Sequence, residues 1–364
     1  MNTRVTVKQY NLLSQELCTS DWFPNCDPDA VDPEKRYLRI YTKILGTINE
    51  GGVICLQEIS QTWLTRLIGL FESKNYALFY RLYGQRCNDY MGVRSAWPRS
   101  KYILQASQIV RVGDFIPEPV RESTVSKDTW WDFLDYYGIR FWKVLQSVFG
   151  GSTQRPPVDQ WDVSRKKYNM MVMVSLIDRD SGNDKNAFTV ATYHMPCAFR
   201  QPTVMALHSY WAVRIAQEWS RILNGRVGRL IFAADMNIKP ESEVYAMITS
   251  GKMVEELQTV EQGGLTAVND WGSWSSEWGP MNSMYVLKNG EEPKYTNYAR
   301  TARSESDFIA TLDYIFLSSD WDVVECMELP DKEANEQCQT PLPTIDEPSD
   351  HLMIGGIVEV NNVA

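Results

Sequence analysis

Residues Leu230 to Tyr245 read LIFAADMNIKPESEVY, an apolar run of strand length that breaks off in polar groups. A strand without a polar face is a buried one, so the rest of the chain must cover it. Asp235 and Asn237 follow at a two-residue spacing that points both side chains to one face. Pro240 stops the strand, and Glu241, Ser242 and Glu243 sit where a helix starts. A carboxylate and an amide at a strand end can hold a metal-bound phosphate or an attacking water, because Mg²⁺ takes oxygen ligands and an anion takes donors. Asp and Asn are also ordinary turn residues, so this segment taken alone leaves the two readings level.

Other strands end the same way. Val5 to Tyr10 alternates apolar and polar residues and delivers Asn11; Val53 to Leu56 is apolar and delivers Gln57 and Glu58; Ala187 to Tyr193 delivers His194. Apolar residues from Tyr37 to Ile48 recur at helical spacing, and Gly51 and Gly52 end that helix. Tyr76 to Tyr83 and Tyr90 to Val93 read as a strand pair, Tyr168 to Ile177 as a buried strand, and Met205 to Leu223 as a helix feeding the central strand. Phe308 to Leu317 reads as one strand with Asp313 in its middle, Asp320 to Leu329 as another, and Met353 to Val360 as the last. Helix alternating with strand predicts a mixed α/β protein. No repeat, linker or low-complexity block divides the chain, so residues 1–364 are expected to form one domain. An insertion is expected at about 97–167, where WWDFLDYYGIRFWKVLQSVF is too densely apolar for a surface helix. Helices packed on the domain side are its plain reading; a lid or a protein-partner surface is the sharper one.

With 44% hydrophobic and 12% aromatic residues in 364, the chain has ample material for a core. Its formal charge of −10 argues against a broad basic face for nucleic acid, although a local basic cleft or a bound cation can still supply positive charge. Cys18, Cys26, Cys55, Cys87, Cys197, Cys326 and Cys338 are an odd set without CxxC spacing. They predict reduced thiols rather than a disulfide or zinc framework, hence an intracellular, cytoplasmic setting with the nucleus also open. No stretch nears the roughly 18 apolar residues of a membrane span, so no membrane partner is expected.

Histidine is scarce, with only His194, His208 and His351. His208 lies inside ALHSYWAVRIAQ, where packing is the ordinary role, whereas His351 follows Asp350 directly before the last apolar strand. Asn11, Glu58, His194, Asp235, Asn237, Asp350 and His351 therefore gather at strand ends, which is how open α/β and sandwich enzymes build sites.

The motifs YNLLSQEL (Tyr10 to Leu17), ICLQEI (Ile54 to Ile59), ATYHM (Ala191 to Met195), AADMNIKPES (Ala233 to Ser242) and SDHLMI (Ser349 to Ile354) follow in that order. In them the chain resembles, over nearly its whole length, the endonuclease/exonuclease/phosphatase superfamily. YTNY at Tyr295 to Tyr298 and DFIATLDYIFLSS at Asp307 to Ser319 are similar to the branch that holds catabolite-repressor-type deadenylases, nocturnin and Angel proteins. The resemblance implies the deoxyribonuclease I-like fold, an α/β (α+β) four-layer sandwich of two packed mixed β-sheets flanked by helices. It implies a Mg²⁺-dependent phosphoesterase, with Mn²⁺ as an alternative cation, whose partner is RNA, poly(A) included, or a phosphorylated nucleotide. By the same resemblance Glu58 would ligate the metal with Asp350 in its cluster. Asn11 would hold a phosphate oxygen or the metal's water shell, and His194 would donate to the phosphoryl group. Asp235 would orient or deprotonate the attacking water, Asn237 would bind the phosphate, and His351 would be oriented by Asp313. Phe308 would stack on a base, and Asn297 of YTNY would join it in binding substrate.

The chain departs from that branch in two places. It reads QRCNDYMGV where the branch carries a DGCA segment, and it has Phe199 where the branch has a Pro five residues beyond its His. Either Phe199 rebuilds the adenine sandwich or the substrate is not poly(A); stacking on an aromatic ring tolerates any base. Arg86, Arg94, Arg165, Lys166, Lys167, Arg200, Arg300 and Arg303 are the cations available to line an RNA path. Three functions follow: a 3′-5′ exoribonuclease of deadenylase type, a nocturnin-like NADP(H) 2′-phosphatase or other small-molecule phosphatase, and a catalytically inactive scaffold that binds protein through the Trp-rich insertion.

Overall fold

The computed structural model describes residues 3–117, 159–181, 187–224, 228–252, 279–330 and 340–361. Its centre is the strand expected from the apolar run, β8 (Leu230–Asp235). Leu230, Phe232 and Ala234 point into one core while Ile231 and Ala233 point into another, so neither face of the strand meets water. Each large apolar side chain buried this way contributes about 2–3 kcal/mol.

Two six-stranded sheets carry the fold. The first runs β13 (Trp321–Cys326), β14 (Ile354–Val360), β1 (Arg4–Asn11), β2 (Val53–Ile59), β4 (Gly92–Pro98), β3 (Tyr76–Leu82). The second runs β5 (Tyr102–Arg111), β6 (Met170–Asp178), β7 (Ala187–His194), β8, β12 (Asp313–Leu317), β9 (Asn282–Ser283). β1 runs parallel to β2 and β7 parallel to β8, while the other neighbours are antiparallel, so both sheets are mixed. The sheets meet across one core, where Val5, Val7, Val53 and Trp97 face Val174, Phe188, Ile231 and Ile315. Helices α2 (Pro33–Asn49) and α3 (Gln61–Ser73) cover the outer face of the first sheet, with Ile40, Ile44, Trp63 and Phe71 turned inward. The outer face of the second is covered by α5 (Pro202–Asn224). The result is the four-layer α/β sandwich that the resemblance implied.

Local signals hold where they were clear. Asp32 caps α2 by accepting from Glu34 N and Lys35 N, with Pro33 at its first position. Short α1 (Pro28–Val31) precedes it, and α4 (Gln160–Lys166) precedes β6. Ser242 caps α6 (Glu243–Ser250) at the helix start expected after Pro240, and α7 (Met284–Asn289) follows β9. The segment from Phe308 to Leu317 differs from expectation: it is two strands, β11 (Phe308–Ala310) and β12, and Asp313 opens the second rather than lying mid-strand. The break arises because Thr296 Oγ1 accepts from both Leu312 N and Asp313 N at 2.9 and 3.0 Å, which takes those donors out of the ladder. β11 pairs instead with β10 (Asn297–Ala299) in a small separate sheet. The sandwich also runs on past 97, since Trp97 closes β4 and Tyr102–Arg111 forms β5 along the whole of β6. The Trp-rich portion of the expected insertion lies outside the described residues. Among the described residues no helix is long and apolar enough to cross a membrane.

Candidate active site

Strand register brings the polar ends together. In the parallel pairs Asn11 lies opposite Gln57 and His194 opposite Asp235, and in the antiparallel pair Asp313 lies opposite Asp235. Asn11, Glu58, His194, Asp235 and Asp313 thus share one end of the sandwich, at the carboxyl ends of the parallel strands where open sheets bind ligands.

Three backbone positions there are unusual. Leu13, Glu58 and Asn237 have φ of 52°, 53° and 49°, the left-handed region that side chains avoid. The ladder between β2 and β4 slips between Leu56 and Ile59, and such a bulge re-aims the side chain it contains, here Glu58. Asn237 follows a tight turn in which its N–H donates to Asp235 Oδ1 at 3.1 Å, so the turn expected of Asp and Asn here is present and it lies within the strand-end cluster.

Asp235 is the hub. It is buried, and its Oδ2 accepts from Asn11 Nδ2 at 2.9 Å and lies 3.5 Å from His194 Nε2 and 3.7 Å from His351 Nε2. Burial is the largest influence on its carboxyl and, with the charge of Asp313, lifts it above the usual range despite both histidines. Asp313 holds His351: its Oδ2 accepts from Thr296 Oγ1 at 2.6 Å and pairs with His351 Nδ1 at 2.7 Å, while Oδ1 accepts from Gln9 Nε2 at 2.9 Å. Burial opposes charge on the His351 ring, but the Asp313, Asp235 and Asp350 carboxylates outweigh it and hold the imidazole well above its ordinary range. The surrounding carboxylates thus favour the imidazolium form of His351 over the neutral one. His194 offers a buried Nδ1 without a hydrogen-bond partner, and its carbonyl is fixed by Asn169 Nδ2 at 2.8 Å.

Asn11 donates to Glu58 Oε1 at 3.1 Å as well as to Asp235, and its Oδ1 accepts from Leu13 N at 3.0 Å. Both amide hydrogens are thereby engaged, so Asn11 spaces two carboxylates apart rather than presenting a free donor. Asn237 gives one amide hydrogen to Met195 O at 3.1 Å and keeps the other. Asn297 turns inward toward Asp350 Oδ2 at 3.4 Å, which makes it a support for that carboxylate and not a surface contact.

The ligand atoms of Asp235, Asp313 and His351 lie within 4.8 Å of one another, as a metal cage requires. Yet Asp313 already accepts from Thr296 and Gln9 and pairs with His351 Nδ1, so an ion there would have to break the shortest contacts of the site. Glu58 and Asp350 fit a hard divalent cation better. Asp350 Oδ1 is buried with no hydrogen-bond partner. Burial is the largest influence on the Asp350 carboxyl and, with the Glu58 charge, raises it against the pull of His351; a cation held by Asp350 and Glu58 would relieve it.

Phe199 and Phe308 meet at the rim with ring centroids 6.1 Å apart and a 53° tilt, and Lys239 Nζ lies 5.6 Å over the Phe308 ring. Five of the eight cations named from the sequence are engaged within the fold. Arg94 is fully buried against the Phe71 ring, Arg165 and Lys166 pair with Asp162, Arg300 reaches Asp307 at 3.5 Å, and Arg303 covers the Trp22 ring. His208 is a packing residue, bonded to Tyr193 OH and Ser164 O and pushed down to about 4 by burial.

Sequence reasoning passed over Thr296, Gln9 and Asn169, which fix Asp313 and His194. It also passed over Tyr83, whose buried hydroxyl lies beside Asn169 and feels the charges of Glu58 and Asp235. The T of YTNY was the one signal in reach; the others look like ordinary strand residues.

The chain matches the Endonuclease/Exonuclease/phosphatase family over residues 9–351. It is 22% identical over 357 residues to 2′,5′-phosphodiesterase 12 of Mus musculus, covering 95% of this chain and 50% of that protein, and equally to its Homo sapiens counterpart. The chain thus spans about half the length of the curated relatives it matches. Among solved structures it resembles ANGEL2, described as a 2′,3′-cyclic phosphatase, in complex with adenosine-2′,3′-vanadate, with a TM-score of 0.67 at 18% identity over 99% of this chain and 96% of that one. It also resembles the human nocturnin catalytic domain with bound sulfate, with a TM-score of 0.59 at 16% identity over 99% and 97%.

Proposed function

We propose, because the chain belongs to the Endonuclease/Exonuclease/phosphatase family, that its strand-end cluster hydrolyses phosphodiesters of RNA as a divalent-cation-dependent 3′-5′ exoribonuclease of deadenylase type. The observation that carries this reading is the crowd of donors round one carboxylate oxygen, with Asn11, His194 and His351 all within 3.7 Å of Asp235 Oδ2. A phosphodiester repels an incoming nucleophile, so its hydrolysis depends on positioned positive charge and a proton acceptor side by side.

Glu58 and Asp350 would hold Mg²⁺ or Mn²⁺, which when bound supplies positive charge against the phosphoryl oxygens. Asp235, its carboxyl lifted by burial, takes a proton from the attacking water. His351, kept protonated by Asp313, and His194 neutralise the phosphoryl oxygens as charge develops on them. Asn237 donates its remaining amide hydrogen to the same group. The bond from phosphorus to the leaving 3′-oxygen breaks, and the water oxygen remains on the released nucleoside 5′-monophosphate. Phe199 and Phe308 receive the terminal base.

One observation favours a second reading. Lys239 places an ammonium beside the Phe308 ring, which suits a nucleotide carrying a further phosphate near its base, as in a 2′-phosphatase acting on NADP(H). The 2′,5′-phosphodiesterase relatives support a 2′-linked phosphate in the same way.

Purified protein with Mg²⁺, given oligo(A), mixed RNA, 2′,5′-linked oligoadenylate and NADP⁺ in parallel, separates these readings. Release of AMP from oligo(A), abolished by chelator and lowered at least about 100-fold by Glu58→Gln, is expected. Inorganic phosphate from NADP⁺ alone would select the second reading, and no turnover of any substrate would leave the scaffold.

A further inference from the structure

We infer that Arg36, which touches none of the groups assigned to the reaction, is a positioning residue that clamps the two loops bearing them. The side chain rises from α2 and is fully buried, yet every face of its guanidinium is used. Nη2 donates to Leu12 O at 2.9 Å and Leu13 O at 2.8 Å, Nη1 to Gln15 Oε1 at 2.6 Å, and Nε to Pro348 O at 2.8 Å. Three of its acceptors belong to the loop after β1, and the fourth to the loop that enters β14. The Trp63 ring lies 5.5 Å from its carbon and fixes its plane.

Those two loops carry the site. Leu13 N donates to Asn11 Oδ1 and Ser14 N to Glu58 Oε2 at 3.1 Å, so the backbone after β1 orients both side chains. Two residues beyond Pro348 come Asp350 and His351. A single stitch already joins the loops, because Ser349 Oγ donates to Asn11 O at 2.7 Å and accepts from His351 N at 3.2 Å. Arg36 is the second and larger one.

Leu13 shows what the clamp does. It has φ of 52°, a conformation that costs a leucine free energy and persists only where its surroundings enforce it. Its carbonyl is one of the two that Arg36 Nη2 grips. The two coplanar, diverging N–H bonds of Nη2 can hold consecutive carbonyls in that turn, whereas an ammonium on a flexible stem cannot. In this arrangement Arg36 maintains the strained turn, the turn aims Asn11 and Glu58, and the same guanidinium holds Asp350 and His351 at a fixed distance from them.

The test is a double-mutant cycle of Arg36→Lys and Leu13→Gly, with glycine chosen because it adopts a positive φ without strain. Two readouts are taken: hydrogen exchange at the amides of residues 11–15 and 349–352, and phosphodiesterase kinetics. Arg36→Lys is expected to speed exchange in both loops together and to lower kcat and kcat/KM alike by about 100-fold, with KM little changed. Leu13→Gly in the Arg36→Lys background is expected to recover about tenfold, the worth of the relieved turn. Equal losses in both backgrounds, or faster exchange confined to α2, overturn the inference. Should Arg36→Lys fail to fold, Gln15→Met removes one acceptor alone and must speed exchange at both loops; exchange unchanged at 349–352 overturns it. The kinetic arm rests on the phosphoesterase reading, but the exchange arm does not. An inactive wild-type protein with linked loops would sink that reading and leave the clamp standing.

Discussion

Asp313 touches Thr296, His351 and Gln9 at once, and this over-determined carboxylate sets His351 apart from a merely buried imidazole. Asp313→Asn keeps the volume but removes the charge and offers His351 the wrong partner. It is expected to lower kcat by about 100-fold or more, the scale on which a positioned acid or base contributes. The same change alters stability with a definite sign. The wild-type His351 binds its proton more tightly folded than unfolded, so this contribution is whole below pH about 6.5 and fades as pH climbs through the raised folded value. Urea unfolding should therefore show the gap between wild type and Asp313→Asn widest near pH 6 and narrowing as pH climbs through the raised folded value. At the rim, Phe308→Ala should raise KM for oligo(A) by about tenfold or more, one base-stacking contact, while leaving turnover of bis(p-nitrophenyl) phosphate, which has no base, in place.

Among the elements, α5 carries the clearest acid-sensitive contact. His208 on this helix is neutral and buried between Tyr193 OH and Ser164 O, and its pKa is pushed down to about 4. Unfolded, it protonates near pH 6.5, so the native state holds its advantage above that pH and loses about 3 kcal/mol as pH falls through 4. His208→Gln should remove that loss, read as a shallower fall of unfolding free energy between pH 6.5 and 4. The elements were legible in the sequence wherever burial imposed a pattern. β8, β6 and β7 announce themselves as apolar runs because both their faces are covered, and His208 announced itself as packing because its neighbours are apolar. What stayed hidden depends on contacts between residues distant in the chain. The break at Thr311 and Leu312 is made by Thr296, and the inward turn of Asn297 by Asp350; nothing local to Phe308–Leu317 marks either. The burial of Arg94 was equally hidden, since an arginine in a strand gives no sign of which face it takes. Site residues at strand ends were easier to find than their supports, because an ionisable group after an apolar run stands out and a Gln or Thr within one does not.

Over the whole molecule, a formal charge of −10 and the pairing of Arg165 and Arg300 with carboxylates give the proposed oligonucleotide reading a definite salt dependence, with few phosphates gripped beyond the site. A protein that grips six to ten phosphates loses about 10³-fold or more in affinity between 50 and 200 mM salt; here kcat/KM on oligo(A) should fall by less than about tenfold over that range. A steep fall would show a basic surface outside the described residues. The sheet order carries a last consequence. β1, the first strand of the sandwich in chain order, pairs with β14, the last, and Ser349 and His351 reach back to the end of β1 and to Asp313. The pairing that completes the first sheet is therefore among the most non-local in the fold, the kind whose loop-closure entropy must be met before it is rewarded. A fragment that stops short of β14 leaves β1 with an open edge and lacks Asp350 and His351, so the cluster exists only where both ends of the sandwich have met.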